Sequence, residues 1–265
     1  MDILAFITIG INPNITGFSL PFIGPLMLSW HGFFGALGIT SVLIWATRAA
    51  KKEGIDEDLI YGIAMWAIIG GLIGARAVHV IDSWSYYSAA PISILRIWVG
   101  GIGLMGGIFG ATAAGSIYIW RHRLPLGKIL DITVPGILIG QFVGRIGDII
   151  NGEHLSNFAN LPWAFEYTHP DSPAYQLGPM HPAIAYEMLW DMIVFFVTYK
   201  LLGKLNPDGM VFFTYLALYG FGRFFIQFTR RDPVWIAGLQ EAHFLSLGML
   251  IIGLFVIASR ARLKS

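Results

Sequence analysis

Long apolar stretches alternate with short polar ones along the whole chain. A membrane-spanning helix needs about 20 predominantly apolar residues. Stretches of that kind lie at roughly 24–46, 59–81, 100–120, 129–149, 183–203, 209–229 and 242–260. Two of them are ambiguous: 129–149 contains Pro135 and Arg145, and 183–203 contains Glu187 and Asp191. The pattern predicts an all-α polytopic integral membrane protein of about seven transmembrane helices. No long linker, low-complexity tract or convincing repeat divides it, so residues 1–265 are expected to form a single transmembrane domain.

Composition agrees with that reading. The chain is 55% hydrophobic and 12% charged, against about 25% charged in soluble domains. Cytoplasmic loops of membrane proteins are enriched in Lys and Arg. Arg48, Lys51, Lys52, Arg121, Arg123, Lys128, Lys200, Lys204, Arg260, Arg262 and Lys264 fall on one side of a seven-span arrangement. Only Arg96, Arg230 and Arg231 fall on the other. The N-terminus is therefore expected outside and the C-terminus in the cytoplasm. The longest loop, about 150–182, lacks Lys and Arg and is placed on the extracytoplasmic side.

Several function classes drop out. A net charge of +1 gives no electrostatic footprint for nucleic acid. The absence of cysteine excludes disulfides, thiolate metal sites and a thiol nucleophile of the chain's own. No two histidines show metal-ligand spacing, so no metal and no cofactor are expected. The last span has no lysine for a retinal Schiff base, and no Ser-His-Asp signature is present.

Three arginines remain at membrane depth: Arg76, Arg145 and Arg223. A charge at a helix centre costs about 2.5–3.5 kcal/mol on insertion scales, which makes function the default hypothesis. The competing reading is a structural ion pair or snorkelling to the interface. Arg145 has polar company in the run Gly144 to His154: Asp148 three residues on, then Asn151, Gly152 and Glu153. Arg145 and Asp148 share a helix face, and Asn151-Gly152 is a turn signal. Arginine's planar fork suits a phosphate, so the run points to an outward-facing anionic-headgroup site. Arg223 and Gln227, four apart, also share a face; Arg223 either joins a phosphate clamp or neutralises Asp148, Glu153 or Glu187. Paired glycines recur at Gly70-Gly71, Gly100-Gly101 and Gly106-Gly107. They serve either close helix packing or the approach of a ligand headgroup to bare backbone.

Together these pieces resemble the bacterial prolipoprotein diacylglyceryl transferase family. Gly144, Arg145, Gly147, Asn151 and Glu153 fit its signature G-R-x-G-N-F-I-N-x-E. Trp30-His31-Gly32 is similar to its W-Y-G, and Gly74-Ala75-Arg76 to its G-A-R. Trp98 to Gly107 is similar to W-x-G-G-x-x-x-[HY]-G-G. His181-Pro182 with Tyr186-Glu187 is similar to H-P-x-x-x-Y-E, and Gly222-Arg223-Phe224 to Gln227 to G-R-F-x-x-E.

The resemblance implies a transferase of the bacterial plasma (inner) membrane. It would move the diacylglyceryl group of phosphatidylglycerol onto the lipobox cysteine of a preprolipoprotein signal peptide, forming a thioether and releasing glycerol phosphate. Arg145, Arg223, His31 and Glu153 are then the expected catalytic residues. Arg145, Asp148, Asn151, Gly152, Gly106, Gly107, Met105, Gln227, Arg76, Tyr186 and Glu187 are expected to bind substrate. Membrane lipid is a further partner. The chain departs from the family at His31 for Tyr, Met105 for His or Tyr, Asp148 for Asn, Ser156 for Gly and Gln227 for Glu. His31 is expected to take over the proton handling lost at Met105. Asp148 beside a phosphate would be costly unless Arg145 neutralises it, so Asp148→Asn is expected to preserve or raise activity. Two other readings stay open. One is a catalytically altered paralogue that binds or moves an anionic phospholipid, which Met105 and Gln227 favour. The other is a small-molecule membrane transporter, which would more often show an inverted repeat.

Overall fold

The computed structural model of the protein describes residues 6–20, 24–97 and 100–264. The chain is mostly helical. The long helices are α1 (Trp30–Lys52), α2 (Glu57–Asp82), α4 (Leu104–Arg121), α5 (Leu126–Asn151), α6 (Ala183–Leu201), α7 (Met210–Gln227) and α8 (Glu241–Arg260). A short α3 (Trp84–Ala89) and a 3-10 turn (Pro91–Leu95) follow α2. Five of the long helices are long and apolar enough to cross a membrane: α1, α2, α5, α7 and α8. The other two are the glycine-rich α4 and α6, which carries Glu187, Asp191 and Lys200.

Two boundaries differ from the hydropathy pattern. The first apolar stretch opens with strand β3 (Gly24–Ser29), which pairs with β2 (Asn14–Leu20), and helix starts only at Trp30. A period-blind apolar run cannot separate a strand from a helix, and here it merged the two. The stretch containing Pro135 is an unbroken helix that runs on to Asn151. It stops there because Gly152 takes a φ of 70°, a left-handed conformation natural only to glycine.

The chain divides into two compact units. The smaller comprises residues 19–26 and 46–129. Its axis is the pairing of α2 with α4. Gly70 and Gly74 face Gly106 and Gly110, and a Cβ on any of the four would run into the opposing backbone. In lipid, helices associate through such close small-residue contacts rather than through hydrophobic burial. Asp56 caps α2 by accepting from the Asp58 amide at 3.0 Å, with Glu57 and Asp58 in the first turn favourable to the helix dipole.

The larger unit comprises residues 1–18, 27–45 and 130–265. Its core joins Val134 and Leu138 of α5, Val194 of α6, and Val211 and Tyr215 of α7. Asp131 of α5 satisfies the free amides at the start of α7, accepting from Gly209 at 2.8 Å and Phe212 at 2.9 Å. The 152–182 segment carries a small core of its own. There β1 (Ile7–Ile9) pairs in parallel with β4 (Phe165–Tyr167), and Ile9, Tyr167, Ala174 and Met180 are buried together. The Tyr167 hydroxyl donates to the Ile149 carbonyl at 2.8 Å, tying the segment to the end of α5. Burial pushes that phenol's pKa above its ordinary value.

Candidate functional site

Within the larger unit, charged side chains from α1, α5, α6, α7 and the loop after α7 meet in one cluster. Its centre is Glu187, 4% exposed. Arg145 and Arg223 both form ion pairs with Glu187, and Arg230 lies 3.5 Å from its Oε1. Three guanidiniums thus share one buried carboxylate. Asp232 takes up part of the Arg230 charge at 3.1 Å, and Asp148 part of that of Arg145 at 3.4 Å. Arg223 is thus left with a share of Glu187, and Arg145 with shares of Glu187 and Asp148.

Beside this knot lies a second group. Gly147 lets α5 approach the start of α1: a Cβ there would press on the His31 Cα and the Trp30 carbonyl. The close approach sets His31 Nδ1 2.7 Å from Asp148 Oδ1 and 3.5 Å from Glu153 Oε1. His154 Nε2 stands 3.6 Å from Asp148 and 3.8 Å from Glu153. His31 is half exposed and Glu153 40% exposed, whereas Asp148 is buried. One atom each from His31, Asp148 and Glu153 lies within 4.8 Å of the others. A cation there would have to displace the proton that joins His31 to Asp148.

Asp148 therefore has more partners than its spacing to Arg145 suggests. The expectation that Asp148→Asn preserves or raises activity supposed that Arg145 alone could neutralise this carboxylate, and here His31 and His154 face it as well. His31 faces the carboxylate at 2.7 Å, and an amide in its place would remove the negative charge nearest that imidazole.

Backbone pairing completes the cluster. Segments 155–157 and 229–231 run antiparallel: the Asn157 amide donates to the Thr229 carbonyl at 2.8 Å and the Arg231 amide to the Leu155 carbonyl at 3.0 Å. Ser156, in the place of the family's glycine, is buried in this pairing. The pairing delivers Arg230 to Glu187 and His154. Gln227 is fully buried, donating to Asp232 Oδ2 at 2.6 Å and to Gln240 Oε1. Asp232 sits below the ordinary carboxylate range: burial raises its pKa, but hydrogen bonds from Gln227 and Arg230 and the Arg230 charge outweigh burial. Gln240 then opens α8 with a capping box shared with His243.

Other expected site residues fall elsewhere. Tyr186 accepts from Trp163 Nε1 at 2.9 Å, with His181 Nδ1 3.5 Å from its hydroxyl. Asn151 and Gly152 form the end of α5, and the Asn151 carbonyl accepts from Ser172 Oγ at 3.4 Å. In the smaller unit, Arg76 is buried and donates to the carbonyls of Ile94 at 2.8 Å, Ser93 at 2.5 Å, Gly100 at 2.8 Å and Gly101 at 2.7 Å. Its donors are consumed by the 93–101 connection, so it staples that loop and has little left for a phosphate. A pocket of about 250 Å³ beside it is lined by His79, Tyr86, Tyr87 and Arg96. Gly106 is filled by Gly74 packing rather than left open for a headgroup, while Gly107 keeps ordinary contact distance from Ala75. Met105 sits in the first turn of α4. Trp98, the start of that motif, lies outside the described residues.

Arg230 and Asp232 are the residues that sequence reasoning passed over, and His154 is named there only as the end of the polar run after Arg145. Arg230 was countable only as an outer-loop charge. Arg223, Gln227 and Arg230 are spaced i, i+4 and i+7, but α7 ends at Gln227 and Arg230 sits in the bridge with Ser156, so helical periodicity does not place it.

The profile of the family described as prolipoprotein diacylglyceryl transferase matches residues 19–259. The chain belongs to the prolipoprotein diacylglyceryl transferase family. It is 32% identical over 246 residues to a phosphatidylglycerol–prolipoprotein diacylglyceryl transferase of Trichormus variabilis, covering 89% of this chain and 86% of that one. It is 35% identical over 247 residues to one of Dehalococcoides mccartyi, covering 93% and 92%. With one of Lysinibacillus sphaericus it shares 32% identity over 250 residues, covering 90% of each. The departures at positions 31, 148 and 227 lie inside the matched residues.

Proposed function

We infer that the Arg145–Glu187–Arg223 knot and the adjoining His31–Asp148 pair form the transfer site of a phosphatidylglycerol–prolipoprotein diacylglyceryl transferase. The enzyme transfers the diacylglyceryl group of phosphatidylglycerol to the lipobox cysteine of a preprolipoprotein. The thiol loses its proton and its sulfur attacks the glyceryl carbon that bears the phosphate. The C–S bond forms as the C–O bond breaks, and glycerol phosphate leaves. Arg145 and Arg223 hold the phosphate and stabilise the charge that builds on its leaving oxygen. His31 receives the thiol proton, a role worth about 10²–10⁴ in rate. Glu153 and Asn151 order the end of α5 around Arg145.

In this reading residues 1–265 form one transmembrane domain of seven spans in the bacterial inner membrane. The N-terminus and the 150–182 loop lie outside, and the C-terminus lies in the cytoplasm. The observation that carries the site assignment is the convergence of three arginines on one buried carboxylate, next to a histidine–carboxylate pair.

The test is direct. The purified protein is incubated with phosphatidylglycerol and a lipobox peptide, and the thioether product is sought by mass spectrometry. Arg145→Ala, Arg223→Ala and His31→Ala should each abolish or greatly slow its formation. Wild-type rates in these variants would sink the site assignment. No product from the wild type, with tight phosphatidylglycerol binding, would instead favour a lipid-binding paralogue.

A further inference from the structure

His154 stands between the two halves of the cluster, and its hydrogen bonds fix which ring nitrogen carries the proton. Arg230 Nη2 lies 3.0 Å from His154 Nδ1. A guanidinium only donates, so Nδ1 must offer its lone pair. The ring proton is then on Nε2, the nitrogen that faces Asp148 Oδ1 at 3.6 Å and Glu153 Oε1 at 3.8 Å. Asp148 thus meets N–H groups on three sides: His31, His154 and Arg145. In its neutral form, with the Nδ1 proton pointed at Asp148, His31 presents a bare Nε2, the form a base needs. This is the logic by which a buried carboxylate holds a catalytic imidazole in the correct tautomer.

We propose that Arg230 and His154 are positioning residues for the transfer reaction. Arg230 locks the tautomer of His154. His154 in turn aims its Nε2–H at Asp148 and Glu153 and keeps Asp148 turned towards His31. Neither residue touches substrate in this role. The proposal rests on the transfer reading above, and it assigns a use to the Nη2 of a 6% exposed Arg230 whose Nε donates to Asp232 and whose Nη1 lies 3.5 Å from Glu187.

Two variants of His154 separate positioning from bulk. Glutamine sets an amide N–H near the place of Nε2; asparagine reaches only the place of Nδ1. His154→Gln should keep kcat within a few-fold of wild type. His154→Asn should lower it by about ten- to a hundredfold, the scale of a small misplacement near the chemistry, with KM for phosphatidylglycerol unchanged. Equal kcat in the two variants, or a loss that appears in KM, would overturn the proposal. A readout free of activity accompanies these. Nitrogen-15 spectra of histidine-labelled protein in detergent, assigned with His154→Gln, should show the His154 ring protonated on Nε2 alone. Arg230→Lys, which keeps the charge but not the fork, should abolish that fixed tautomer. A wild-type ring protonated on Nδ1 would refute the proposal whatever the enzyme assay gives. A wild type that makes no thioether would count against the transfer reading itself.

Discussion

Glu187→Gln isolates the central charge of the cluster. The substitution keeps the side chain's volume and one acceptor and removes the buried carboxylate that Arg145, Arg223 and Arg230 share. Breaking a buried ion pair from one side costs about 3–5 kcal/mol, because the stranded charge stays buried. Asp148 and Asp232 relieve two of the arginines, and glutamine still accepts a hydrogen bond, so the lower end, about 3 kcal/mol, is expected. For a chain of this size that corresponds to a fall in melting temperature on the order of 10 °C. An anion entering the vacated charge position should repair most of it: a ligand at a hundred times its Kd stabilises by about 2.7 kcal/mol. The assay is thermal unfolding in detergent micelles with added phosphatidylglycerol or zwitterionic phosphatidylcholine. The variant should melt lower, and phosphatidylglycerol should rescue it where phosphatidylcholine does not. Melting at the wild-type temperature, or equal rescue by both lipids, would refute the idea that these arginines wait for an anion.

Asp148→Asn should lower kcat by about 10² or more, and adding it to His31→Ala should cost nothing further, since residues that act as one unit are not additive; additive losses in the thioether assay would separate the two residues. Arg76→Lys should reduce the yield and melting temperature of the folded protein while leaving KM for phosphatidylglycerol unchanged, because a point donor cannot serve the carbonyls that the guanidinium holds. A Cβ at Gly110 would meet the Gly70 backbone, so Gly110→Ala should lower the melting temperature by the equivalent of about 1–3 kcal/mol. Asp232 has a depressed pKa in the folded chain. Its contribution to stability is complete above its unfolded value of about 4 and fades as pH falls through the folded one; Asp232→Asn should flatten that acid-side loss in melting curves taken across pH.

The helices were legible because each carries its own apolar run, and the end of α5 because Asn151-Gly152 is a local turn signal. Pairs within one helix were legible too: Arg145 with Asp148, and Arg223 with Gln227. What stayed hidden depends on tertiary pairing. Nothing in the sequence around Ser156 says that 155–157 will lie against 229–231, yet that pairing seats Arg230 beside His154 and Glu187. Glu187 was readable as part of a motif but not as the shared partner of three arginines. Arg76 shows the converse. Its depth marked it as a candidate for anion binding, and only the fold reveals that backbone carbonyls of the 93–101 connection use up its donors.

The departures from the family pattern make more physical sense in pairs than singly. His31 in place of tyrosine and Asp148 in place of asparagine are in contact at 2.7 Å. An acid gained at 148 has a share of Arg145 at 3.4 Å, and a histidine in place of tyrosine can add a compensating positive charge, which lowers the cost of burying that acid. The histidine supplies the donor. Gln227 in place of glutamate removes a charge from a helix face that already carries Arg223, but Asp232, five residues on, accepts from both Gln227 and Arg230. The carboxylate facing Arg230 is thus supplied from the loop instead of from α7. Drift in a disused site would scatter such changes without regard to contact. Here a gained acid touches a gained base, and a lost acid has a neighbouring one, which is the pattern expected where selection still acts on the charge balance around a reacting phosphate and thiol.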